Sequence, residues 1–286
     1  MTPSELSGLV ARFCLGGLLA MALLALDRLA RRRLGALAPG QSARAILDAG
    51  RVLGVFLISG ALVTGAGLGE GEGGRLAQEL KWLLVYGALA GALFFVTARL
   101  GSRLLLRGGL RAQLEKNNLA AAVAVAGHTV ATALLVAANI AGDDLEMIGV
   151  SLAFFALSQL TLHGFVVLFR TLTSYDDAAE IEGGNVAAAL SYAGVTVGLA
   201  IIIGHAAEGS FEGWSASLRG YATALVFCGS LYVVRQFVVQ TILCGARPTL
   251  WKGPLDQAIG RDRDLGLAAL EAAAYVGTAL LLGHVS

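Results

Sequence analysis

Asp48, Glu271, Arg99, Arg235, His163 and His128 stand inside, or close to the ends of, long apolar runs. An ionisable side chain in such a run is costly to hold in hydrocarbon, so it marks either an ion or proton pathway or a paired charge. The carboxylates of Asp48 and Glu271 would attract a cation. Arg99 and Arg235 lie near the ends of their runs, where they would pair with those acids or carry their charge to the interface on long stems. His163 aligns with Arg235 when "SQLTLHGFVVL" is laid on "SLYVVRQFVVQ". His128 shares its run with Thr129, Thr132 and Asn139. An imidazole titrates near neutral pH, so this stripe suits either a proton-linked role or interhelical hydrogen bonding. Ser158, Gln159, Gln236 and Gln240 extend the polarity into two more runs, where such side chains join helices.

Other chemistry has little to work with. His205 and His284 end two runs in matching "GH" pairs, but no second ligand follows at metal-binding spacing, so neither metal nor cofactor is expected. Cys14, Cys228 and Cys244 form no CxxC pair and read as small packing residues. No P-loop, HExxH or GxSxG is present. The acidic "GLGEGEGG" would repel phosphate. No catalytic residue is assigned, and an enzyme is not expected.

The elements that position these residues follow from composition. Of 286 residues, 56% are hydrophobic and only 14% charged, against about a quarter charged in a soluble domain. Mean hydropathy is +0.72. Runs of about 20 apolar residues span a bilayer as helices. Eight are predicted, with cores at Ser7–Leu29, Ala43–Ala66, Leu80–Leu105, Leu119–Ala141, Leu145–Phe169, Val186–Ala206, Leu218–Leu243 and Leu265–His284. The fold class is an all-α polytopic transmembrane bundle, and the first run reads as a retained helix because "MTPSEL" lacks the basic start of a signal peptide. The net charge of +1 points to no nucleic-acid partner. Arginines gather in the first, third and seventh loops, which places the odd loops in the cytoplasm and both termini outside. The acidic fifth loop is the exception.

A ruler laid on the even-numbered helices repeats. Asn118 and Asn185 are each followed nine residues on by Gly127 and Gly194, then four further by Ala131 and Gly198. From Asp264 the same ruler finds Ala273 and Gly277, and from Gln41 it finds Gly50 and Gly54. The entry residues Asn118, Asn185 and Asp264 would satisfy open N–H groups at helix starts. Gly50, Gly54, Gly127, Ala131, Gly194, Gly198 and Gly277 would let helices approach closely. Four parallel two-helix units are therefore expected, at residues 1–74, 75–142, 143–209 and 210–286, around an axis normal to the membrane. Asp48 and Glu271 fall at one depth on this ruler, seven residues past their entry positions.

"EKNNLAAAVAVAGHTVATALLV" and "EIEGGNVAAALSYAGVTVGLAIII" resemble the signature of domain of unknown function 350, the YjfL-like bacterial inner-membrane proteins. The resemblance covers nearly the whole chain, with divergent first and last units. It implies a multi-pass protein of the bacterial inner membrane and transfers no catalytic activity. Two functional readings follow. In the first, inward polar residues form an ion or small-solute conduit, or the membrane subunit of one. In the second, small-residue faces build a non-conducting scaffold or membrane-stress partner that meets a cytoplasmic protein. The bilayer is the one partner both require. Four units could close a bundle alone or form one wedge of a homo-oligomer.

Overall fold

The structure is a computed structural model that describes residues 3–31, 37–65, 76–142, 144–208, 211–249 and 251–285. Arg32, Arg33 and the "GEGEGG" loop lie outside these residues. Among the described residues eight helices are long and apolar enough to cross a membrane. They are α1 (Pro3–Ala30), α2 (Ser42–Gly65), α3 (Leu76–Leu105), α5 (Leu119–Asn139), α6 (Glu146–Leu172), α8 (Val186–Ala207), α9 (Trp214–Leu243) and α11 (Leu265–Val285). Helix is the form these runs must take, because hydrocarbon offers the backbone no hydrogen-bond partner.

Three connections expected as loops contain short helices: α4 (Leu110–Glu115), α7 (Asp177–Glu182) and α10 (254–261). Each precedes one of the last three even-numbered spans. They are too short and too polar to register as apolar runs, and they are held by the entry residues. Asn118 Oδ1 accepts from the Ala121 N–H at 3.2 Å, capping α5. Its Nδ2 donates to the carbonyls of Ile181 and Glu182 at the end of α7. Asn185 does the same one unit later, capping α8 at Ala188 and donating to the carbonyls of Ile259 and Gly260 in α10. Asp264 Oδ1 accepts from Leu267 N–H at 3.0 Å. The start of α2 departs from this pattern. Gln41 does not cap it by side chain; Asn117 reaches across and accepts from Ala43 N–H at 2.9 Å.

The even-numbered spans pack in series, α2 on α5, α5 on α8 and α8 on α11. One contact recurs at all three junctions. A Cβ on Gly50 would meet Ala126, one on Gly127 would meet Ala193 and one on Gly194 would meet Ala272. In each case the ninth residue past an entry position lies against the eighth residue of the next helix. Gly54 meets Phe94 and Ala133, Gly198 meets the backbone of Tyr275, and Ala131 is fully buried. The remaining spans lie over the seams: α3 touches α2 and α5, α6 touches α5 and α8, and α9 touches α8 and α11, while α1 lies mainly on α2.

No α2–α11 packing comparable to the three junctions exists among the described residues, so the even helices form an open row and do not close a ring, one of the two arrangements left open by the sequence. One expectation needs correction. Gly277 was expected to pack a helix, but a Cβ there would meet nothing within 4 Å, and Ala273 is exposed as well. The physical reason is position: among the described residues α11 lies at the end of the row, so no helix packs on its small-residue face.

Candidate functional site

The polar residues singled out in the sequence separate into three assemblies. The first joins α1 and α2. Asp48 accepts from Arg31 Nη1 at 2.8 Å and from Arg51 Nη1 at 2.9 Å, while Arg31 also pairs with Asp27 one turn before it. Arg99 of α3 is in no ion pair among the described residues. It lines a small cavity of about 30 Å³ with Asp27, Arg51, Ser102 and Thr129. That cavity shares Leu47, Arg51, Arg99 and Ser102 with a groove of about 900 Å³ at the ends of α1–α3, beside α4.

The second assembly joins α9, α10 and α11. Arg235 bridges two acids, Asp256 through Nη2 and Glu271 through Nε. All three side chains are under 5% exposed. Ser191 Oγ donates to Glu271 Oε2, and Tyr275 Oη lies 3.3 Å from Glu271 Oε1. Arg235 opens a π-helical stretch, Arg235–Leu243, whose wide turn interrupts the α-helix where the guanidinium must reach both acids. Asp48 and Glu271, equivalent on the sequence ruler, are thus held by different partners in separate halves of the chain.

Asp177, at the start of α7, is linked to Arg170 at 3.2 Å. Burial pushes its carboxyl up to about 7, although Arg170 opposes the shift. The folded form therefore holds a proton that the unfolded chain releases near pH 4. Stability from this group is complete below the unfolded value and is lost as pH rises through about 7. Thermal unfolding in detergent should show a falling melting temperature between pH 5 and pH 8, and Asp177→Asn should flatten that slope. An unchanged slope in the variant would contradict the assignment.

The third assembly lies between α5 and α6. His128 and His163 meet edge to face, with ring centroids 5.4 Å apart. The His163 Nδ1 lies 2.7 Å from the Gln159 carbonyl, which can only accept, so this nitrogen carries a proton and donates it to the carbonyl. Nε2 of His163, both nitrogens of His128, Thr132 Oγ1 and both amide atoms of Gln159 are buried without a hydrogen-bond partner. Further along, Asn139 and Ser158 hydrogen bond at 3.3 Å, and Ser151 Oγ donates to the Ala141 carbonyl at 3.1 Å. A cavity of about 280 Å³ opens there, lined by Asn139, Ser151, Glu208, Glu212 and Tyr221. At the other end of the assembly Thr129, beside His128, lines the 30 Å³ cavity. Space for the His128 ring is made by Gly101 of α3, where any side chain would collide with it.

Sequence reasoning missed Asp27, Asp256 and Gly101. Asp27 is visible as an acid in an apolar run, "LLALDRLA". Asp256 is in a connection and gains its place only when α10 folds back, and the role of Gly101 exists only where α3 crosses α5. No group of three or more metal ligands forms among the described residues.

A family model for a domain of unknown function, DUF350, matches residues 1–140 and again 143–285. The chain belongs to the DUF350 family. Each match spans four of the eight membrane-crossing helices, so the DUF350 unit occurs twice in tandem. Neither a curated protein nor a solved structure matches the chain. The two DUF350 copies differ in their polar content. The first holds His128 in its fourth span, where the fourth span of the second, counted from Asp264 as from Asn118, has Ala274, and the second holds the Arg235 triad.

Proposed function

We propose that this DUF350 protein is a small-ion conduit, or the membrane subunit of one, with the proton as its cargo and the α5–α6 seam as its path. The observation that carries the reading is the series of buried polar groups from Thr129 and His128 through His163, Thr132 and Gln159 to Asn139 and Ser158, with a cavity at each end. Buried polar atoms without partners are rare and point to water or an ion. A seam of packed, buried side chains suits proton transfer between those groups and single waters better than passage of a hydrated ion. Asp48 and Glu271 fit the pathway poorly, because arginine already holds both.

The reading is tested in proteoliposomes carrying an internal pH dye, with a potassium diffusion potential as driving force. Wild type should acidify or alkalinise the lumen according to the sign of the potential. His128→Phe and His163→Phe should each cut the rate by about a hundredfold or more, the range in which a proton-transfer group acts. Asp48→Asn should leave it within about twofold. A monodisperse wild type that moves no protons would sink the proposal. Placement in a bacterial inner membrane, with both termini outside and the arginine-rich ends in the cytoplasm, belongs to the same proposal and rests on the distribution of basic residues.

One observation favours the scaffold reading as a second choice. The exposed Ala273 and Gly277 leave α11 with an unused small-residue face that a second copy or another membrane helix would fit. Recovery of a stable partner or a homo-oligomer, together with absence of flux, would favour it.

A further inference from the structure

The groove of about 900 Å³ at the ends of α1, α2 and α3 is lined by six arginines: Arg31, Arg44, Arg51, Arg99, Arg103 and Arg111. The acid in its lining, Glu115, is taken by Arg111 at 2.9 Å. Asp27 and Asp48 neutralise the inner wall through Arg31 and Arg51. Arg99 and Arg103 are one turn apart on α3, and among the described residues neither is in an ion pair. The groove is concave and contains more guanidinium groups than acids. A snorkelling fringe would spread such groups over a convex rim. Guanidinium forks match phosphoryl oxygens in geometry and charge. Basic pockets between membrane helices on the arginine-rich side hold anionic headgroups. The volume exceeds what one inorganic phosphate fills.

We infer that this groove binds a phosphate-bearing anion, with Arg99 and Arg103 as its principal ligands. The same chemistry is available from two sources, an anionic phospholipid headgroup and a soluble phosphorylated compound. The groove shares Arg99 with the small cavity at one end of the histidine seam, but no histidine lines it, and the inference holds whether or not that seam conducts.

Full-length protein in phosphatidylcholine nanodiscs provides the baseline. One arm replaces part of the lipid with phosphatidylglycerol; the other keeps phosphatidylcholine and titrates inorganic pyrophosphate. Melting temperature and lipid retention in native mass spectrometry are the readouts. A rise in melting temperature with phosphatidylglycerol, and retained lipid that falls several-fold in Arg99→Gln/Arg103→Gln but not in Arg219→Gln, supports binding of a headgroup. The same pattern with pyrophosphate alone supports the soluble source. Arg103→Glu, a single reversal at an exposed position, keeps the test usable if the double variant is poorly folded. No response in either arm, or an equal response in wild type and the Arg99/Arg103 variants, overturns the inference.

Discussion

Replacing Arg235 with Met should be among the most damaging single changes in this chain. The guanidinium is the shared partner of Asp256 and Glu271, and all three are almost fully buried. Removing it leaves two acids facing each other in a low-dielectric site. Loss of one partner from a buried ion pair costs about 3–5 kcal/mol. Asp256, in the connection, is already pushed up by burial, with Arg235 pulling the other way. Without the arginine it would take up a proton rather than remain charged. Arg235→Met should therefore fail to accumulate, or melt far below wild type in detergent. The triple change Arg235→Met, Asp256→Asn, Glu271→Gln should recover much of the loss, because it removes the stranded charges together with their counter-ion. If Arg235→Met alone unfolds within a degree or two of wild type, the triad does not hold α9 and α10 against α11 in the way its geometry indicates.

Gly194→Val should be the most damaging apolar substitution. A Cβ at Gly194 would lie 2.5 Å from the Ala272 Cα, so the obstacle is backbone and cannot rotate away. Helices in lipid associate through close van der Waals packing, since the hydrophobic effect gives them no net pull. Forcing α8 and α11 apart should cost at least the 1–3 kcal/mol typical of overpacking. Gly277→Val is the matched control: it adds the same atoms to a glycine four residues past an equivalent small position, and finds open space. Its stability should stay within about 0.5 kcal/mol of wild type, as for an ordinary surface change. Equal damage at both positions would mean that α11 meets a partner through Gly277, which would support the self-association reading.

These contrasts separate what is legible in sequence from what is not. The membrane spans were legible because hydrocarbon permits a long apolar segment to be only a helix. The helix entries were legible for a similar reason, since Asn118, Asn185 and Asp264 cap their helices through local bonds three residues apart. The glycine ruler was legible as a spacing, but its use was not. Gly50, Gly127 and Gly194 fill close junctions while Gly277 faces outward, because only the order of helices in the row decides which of them has a neighbour.

The charged residues show the same limit more sharply. Position along a helix fixes depth in the membrane, and on depth alone Asp48 and Glu271 are equivalents. Direction around the helix, and the folding back of α10, give Glu271 to Arg235 with Asp256 and Asp48 to Arg31 and Arg51. His128 and His163 are 35 positions apart, in helices whose residue spacing carries no record of their facing angle. Sequence by itself determined that the chain crosses the membrane eight times in repeated units, since transfer from water to lipid depends on composition alone. Tertiary structure decided which polar groups are paired and which are left without partners, because that depends on how helices rotate and cross, and side-chain contact falls off within a few ångströms.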